Sequence, residues 1–183
     1  LGKPIIFVNY SGSAVGLEPE SKICDAILQA WYPGQAGGTA VADVLFGDYN
    51  PSGKLPVTFY KHTDQLPDFQ DYSMKGRTYR YMAESPLYSF GHGLSYTNFT
   101  YGPATLSQQT ISQGKEVTLT IPVQNTGNYD GEEVVQVYLS CPGDKEGPSH
   151  TLRAFKRVHI AKGQRANVSF TLDSETFQWF DTN

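Results

Sequence analysis

Between Val117 and Val123 every second residue is a large aliphatic, Val117, Leu119, Ile121 and Val123, with Thr118, Thr120 and Pro122 between them. Such a period of two places one face of an extended chain in a core and the other in water, which is the pattern of a half-buried β-strand. The same texture returns in "GEEVVQVYLSC" after the turn-rich "NTGNYDG", and again in "LRAFKRVHIAKGQRANVSFTL", where Val168, Phe170 and Leu172 alternate after "AKGQ". Short strands at this spacing predict an all-β sandwich of about 80 residues, over 104–183.

The first 60 residues read differently. Pro4 to Tyr10 is a continuous apolar run that ends at "SGS", as a parallel strand buried on both faces does, and it is expected to be a central strand. "ESKICDAILQAW" supplies a short helix and a second buried strand around Ala26 to Trp31. In "GGTAVADVLFG", Val41, Val44 and Leu45 stand at helical spacing and Gly47 is placed to cap the helix. Residues 1–60 therefore read as α/β. From 61 to 103 the chain is rich in Pro, Gly, Tyr and Asp, with an aromatic content too high for a solvated tail, and it predicts an ordered connector.

Glycines crowd the stretch "WYPGQAGGTAVADVLFG" without the order that phosphate binding needs. Gly34, Gly37 and Gly38 do not make G-x-G-x-x-G, and Gly47 to Gly53-Lys54-Leu55 has five intervening residues and no hydroxyl after the lysine. A steric purpose is left: the loop turns, and the helix begins close to a neighbouring backbone. "SGSAVG" lacks the G-x-S-x-G spacing of a nucleophile elbow and reads as a tight loop.

Fourteen Lys and Arg against eighteen Asp and Glu leave a formal charge of -4, which disfavours nucleic acid and anionic membranes as partners. Cys24 and Cys141 lie in apolar runs outside any metal-type motif and are expected to be buried free thiols. His62, His92, His150 and His159 share no metal spacing, so no metal is expected. Asp25, Asp43, Asp48, Asp64, Asp68, Asp71 and Glu84 are plentiful carboxylates that the sequence does not pair. Sequons occur at Asn9, Asn98 and Asn167, the first beside a predicted buried strand. The chain starts without Met and reads as a piece of a longer polypeptide. The compartment stays open, with a secreted or periplasmic one favoured.

In order, "AWYPGQAGGTAVADVLFGDYNPSGKLPVTFY", "KGRTYRYM", "YSFGHGLSYTNFTY", "GEEVVQVYLSCPG" and "LRAFKRVHIAKGQ" resemble the C-terminal third of glycoside hydrolase family 3 enzymes. "WYPGQAGG" and "RTYRY" are closer to the β-xylosidase branch than to the β-glucosidase branch. The resemblance implies that 1–60 is the C-terminal portion of an α/β sandwich domain and 104–183 a fibronectin type III-like sandwich. In that family a barrel carrying the nucleophilic Asp precedes the sandwich domain, whose acid/base Glu lies upstream of the strand that resembles "KPIIFVNYSG". Neither segment is in this chain, so no residue inherits a catalytic, cofactor or metal role, and Glu18, Glu20 and Asp68 are not promoted to one. The implied function is that of the structural end of a retaining, exo-acting β-glycosidase acting on β-linked oligosaccharides, joined to its upstream barrel and inactive alone. The alternative is a non-catalytic spacer that binds carbohydrate or protein, with Trp179 and the connector tyrosines as stacking rings. Tyr72, Tyr79, Tyr81, Phe90 and Tyr96 are expected to pack the junction between the domains, with Arg80 among them. "TFQWFDTN" normally leads into one further strand, so the last strand is expected to be missing.

Overall fold

The computed structural model describes residues 2–179. The expected loss of a final strand beyond "TFQWFDTN" lies outside the described residues. Two compact units emerge, one built from residues 1–49 and 54–92, the other from 50–53 and 93–183.

In the first unit, β1 (Ile6–Asn9) pairs in parallel with β2 (Ala26–Gln29), Ile6 opposite Ala26 and Asn9 opposite Gln29. Between them α1 (Glu18–Ile23) opens on Pro19, whose missing N–H would be unpaired in a first turn anyway, with Glu18 and Glu20 at its positive end. α2 (Gly37–Phe46) ends at Gly47, whose φ of 86° is the left-handed cap the sequence requires. A Cβ on Gly37 would stand 2.5 Å from the Pro33 Cβ, so what lies close to the helix start is a proline side chain of its own loop and not the neighbouring backbone that the steric reading expects. Gly34 and Gly38 have open space around them.

β1 departs from its expectation. It is one of two strands rather than central among several, and Ile5 and Ile6 are 54% and 47% exposed among the described residues. A parallel strand is buried on both faces only when further strands flank it and helices cover it. Here β2 is its one described neighbour.

Residues 54–92 run out and return. Phe59 bridges Tyr88 in antiparallel sense, and Leu55 N–H donates to the His92 carbonyl at 2.8 Å while Gly91 N–H donates back at 2.7 Å. Phe59, 1% exposed, meets the Trp31 ring edge-on at 6.2 Å. A 3-10 turn (Thr63–Gln65) and α3 (Thr78–Tyr81) lie on this excursion.

The second unit is all β. β5 (Val117–Asn125) has β8 (Arg165–Leu172) along one edge, from Val117 opposite Leu172 to Gln124 opposite Arg165. Its other edge is shared by β3 (Phe99–Tyr101) and β4 (Thr105–Leu106). β6 (Gly131–Leu139) and β7 (Thr151–Ile160) form a second antiparallel sheet, with a bulge between Val137 and Tyr138. Val117, Ile121, Val123, Val168, Phe170 and Leu172 from the first sheet join Val135 and Ile160 from the second in one apolar cluster. The alternation of β5 and β8 is thus spent on a core that both sheets share.

Cys24 and Cys141 are free, but the expected burial fails at both, Cys24 being half-buried and Cys141 exposed. β6 stops at Leu139, so the Cys141 thiol falls in the turn after the apolar run instead of within it. Among the described residues no helix is long and apolar enough to cross a membrane.

Candidate functional site

Most of the named carboxylates are engaged where they stand, while for Asp43 and Asp48 no side-chain partner stands out among the described residues. Asp25 Oδ2 accepts from the Ile5 N–H at 2.8 Å, Glu18 pairs with Lys22 one turn on, and Glu84 accepts from the Gln65 amide at 3.3 Å. Asp68 and Asp71 close local turns by accepting from Gln70 and Ser73 N–H, and Asp64 faces His62 at 3.7 Å. Glu20 Oε2 is buried without a partner among the described residues. The hydrogen bonds with Ser73 hold the Asp71 carboxyl below the usual carboxylate range, and those with Lys22 do the same for Glu18. In these contacts no carboxylate is paired with another across a space for a sugar.

The histidines are likewise dispersed. His62 lies beside Asp64, His92 stacks on Tyr88 at 5.3 Å, His150 sits edge-on to Tyr138 and hydrogen-bonded to Ser149, and His159 is opposite Glu132. Burial, with Lys54 nearby, pushes the His92 pKa down. Among the described residues no three His, Cys, Asp or Glu gather as a metal would need. Asn9 donates its amide to Ser11 and Gln29, whereas Asn98 and Asn167 are exposed.

Two aromatic regions hold more structure. Around α3, Thr78 adopts a left-handed φ of 57° and is held there because its N–H donates to the Tyr60 hydroxyl at 2.8 Å and the next N–H to Thr58 Oγ1 at 3.1 Å. Tyr79 stacks on Phe90 at 4.4 Å, and Arg80 lies over the Tyr81 ring with its Nε buried and without a partner among the described residues. Tyr72 joins none of this: it is 90% exposed, with Phe69 close by in sequence at 91%.

In the second unit, Trp179 is held by two contacts within the chain. Its indole N–H donates to Asp144 Oδ2 at 2.6 Å and the Arg153 guanidinium lies 5.8 Å from the ring centre. Asp144, also accepting from the Glu146 and Gly147 N–H groups, is thereby held below its usual pKa range. Beside this latch, a cavity of about 290 Å³ opens between the sheets, walled by Leu106, Ile111, Leu119, Leu139 and Phe177. No sequence signal marks the latch, because Asp144 and Trp179 are 35 residues apart.

The described residues thus fold as an α/β unit with a parallel strand pair and an all-β unit whose two sheets share one apolar cluster. The sequence pattern of the glycosyl hydrolase family 3 C-terminal domain matches residues 1–96, and that of the fibronectin type III-like domain matches 133–183. The chain belongs to glycosyl hydrolase family 3. It is 54% identical over 180 residues to a xylan 1,4-beta-xylosidase of Xylanibacter ruminicola, covering 98% of this chain and 21% of that protein. It is 40% identical over 193 residues to a periplasmic beta-glucosidase of Salmonella typhimurium, covering 98% and 25%. Beta-glucosidase 3B from Thermotoga neapolitana superposes with a TM-score of 0.85 at 31% identity, over 98% of this chain and 27% of that structure. The chain thus spans about a quarter or less of the length of these two curated relatives.

Proposed function

We propose that this chain forms the C-terminal scaffold of a longer retaining β-glycosidase that removes a β-linked sugar from the non-reducing end of an oligosaccharide, xylose in preference to glucose. The observation that carries the reading is the co-linear match along 98% of the chain, at 54% identity to a β-xylosidase against 40% to a β-glucosidase. Retaining hydrolysis uses two carboxyl groups about 5 Å apart, one as nucleophile and one as acid and base, through a covalent glycosyl-enzyme. In this reading both come from the upstream part of the polypeptide, and the local commitments of Asp25, Glu18, Asp68 and Asp71 support that assignment.

The chain's contribution is then architectural: 1–60 completes an α/β sandwich, 61–103 connects, and 104–183 is a β-sandwich. The parallel β1–β2 pair supports the first assignment, and the apolar cluster shared by two sheets supports the last. The test is to express the complete reading frame and the 183-residue chain separately, and to measure p-nitrophenol release from the aryl β-xyloside and β-glucoside. The complete enzyme is expected to cleave the xyloside with the higher kcat/KM and the chain alone to cleave neither. A higher kcat/KM on the glucoside reverses the sugar assignment, and turnover by the isolated chain overturns the scaffold role.

A further inference from the structure

The segment 66–77 carries two almost fully exposed rings on a backbone held by its own hydrogen bonds. Phe69 and Tyr72 are 91% and 90% exposed. The backbone beneath them is tied down at each ring: Arg77 Nη2 donates to the Asp68 carbonyl at 3.0 Å and to the Asp71 carbonyl at 2.7 Å, the carbonyls of the peptide units that lead into Phe69 and Tyr72. Two Asx turns reinforce the clamp, with Gln70 N–H on Asp68 Oδ1 and Ser73 N–H on Asp71 Oδ1, both at 2.8 Å. The Asp71 N–H reaches the Asp68 carbonyl at 3.0 Å.

A loop so constrained loses little entropy when a ligand lands on it. The residues between the rings are Gln70 and Asp71, and Asp68 precedes them, all exposed. Carboxylates are depleted from the buried centres of protein interfaces, so rings with charges set among them do not suit a protein partner. They suit a sugar, whose C–H face stacks on an aromatic ring while its hydroxyls donate to nearby carboxylate and amide oxygens.

We propose that Phe69 and Tyr72 form a stacking platform for a β-linked oligosaccharide. The proposal rests on the glycosidase reading above and adds to it the residues that favour longer substrates over short ones.

Phe69→Ala and Tyr72→Ala, made in the complete enzyme, test it by steady-state kinetics on xylotetraose and on p-nitrophenyl β-xyloside, or on the gluco pair if that series is preferred. Each is expected to raise KM for the tetrasaccharide about fivefold, the loss of one stacked ring. The kcat, the kinetics on the aryl glycoside and the thermal midpoint should stay unchanged, and Phe69→Tyr and Tyr72→Phe should keep the parental KM. KM values that move together on both substrates, or do not move at all, overturn the platform. A lowered midpoint with unchanged KM also overturns it, and assigns the rings to packing against protein. If the parent enzyme cleaves both substrates and the variants match it, the platform alone falls. A parent enzyme that cleaves neither series refutes the glycosidase reading and the platform with it.

Discussion

Asn125 is fully buried at the end of β5, and each side-chain polar atom is satisfied twice. Its Oδ1 accepts from Thr97 Oγ1 at 2.7 Å and the Gly127 N–H at 3.1 Å, while Nδ2 donates to the carbonyls of Tyr129 at 2.8 Å and Ile160 at 2.9 Å. Leucine has a similar size but would strand partners that water does not reach. Asn125→Leu is therefore expected to lower stability by about 3 kcal/mol, read as a fall in the urea midpoint at unchanged slope. A loss below about 1 kcal/mol would show that the network is dispensable. The position was half legible. Extending the alternation of Val117 to Val123 by one more step puts residue 125 on the core face, yet "NTG" reads as a turn, so the sequence alone left an asparagine where the chain uses a buried junction. What it lacked was the two distant segments, at Thr97 and Ile160, that meet there.

At the scale of elements, β5 to β8 were legible because their alternation is long and aliphatic, whereas β3 and β4 are two or three residues long in a Tyr- and Pro-rich stretch with no period to read. One of these short strands nevertheless links the two sheets. Tyr101 on β3 donates its hydroxyl to Glu133 Oε1 on β6 at 2.7 Å. Burial, then the hydrogen bond to Glu133 and its charge, push the Tyr101 pKa well above the usual tyrosine value of about 10. A phenol whose folded pKa is raised contributes stability that is intact below the unfolded pKa and is lost as pH rises from there through the folded value. Unfolding free energy is thus expected to decline above about pH 10, and Tyr101→Phe to make that decline shallower. Urea melts of the two proteins between about pH 8 and 11 check this, and identical alkaline limbs would exclude the Tyr101–Glu133 link as a contributor. Of the candidate site the sequence offered only single carboxylates, because which of them face one another depends on contacts between residues far apart in the chain, as Asp25 with Ile5 and Glu84 with Gln65. The exposed Phe69 and Tyr72 were not separable from core aromatics, because exposure leaves no mark on residue type.

For the molecule as a whole, the path of the chain matters more than its order of elements. Residues 50–53 belong with the second unit, 54–92 return to the first, and 93 onward build the rest of the second. Asn50 fixes that early visit: its Oδ1 accepts from Ser95 Oγ at 2.9 Å and the Tyr96 N–H at 2.8 Å, and its Nδ2 donates to the Asp130 carbonyl at 2.9 Å. Asn50→Ala is expected to cost the second unit about 2 kcal/mol. Hydrogen exchange should quicken at the amides of β3 and β6 while those of β2 keep their rates. Uniform quickening in both units, or none, would contradict the assignment.

The same path sets a rule for inheritance. A gene segment copied from Gly93 onward would carry every described strand of the β unit but leave its Asn50 behind, and the transplanted unit would begin life with Ser95, Tyr96 and Asp130 deprived of their shared partner. Recombination that moves the unit whole must take residues 50–92 as well, so the two units are expected to travel between proteins together.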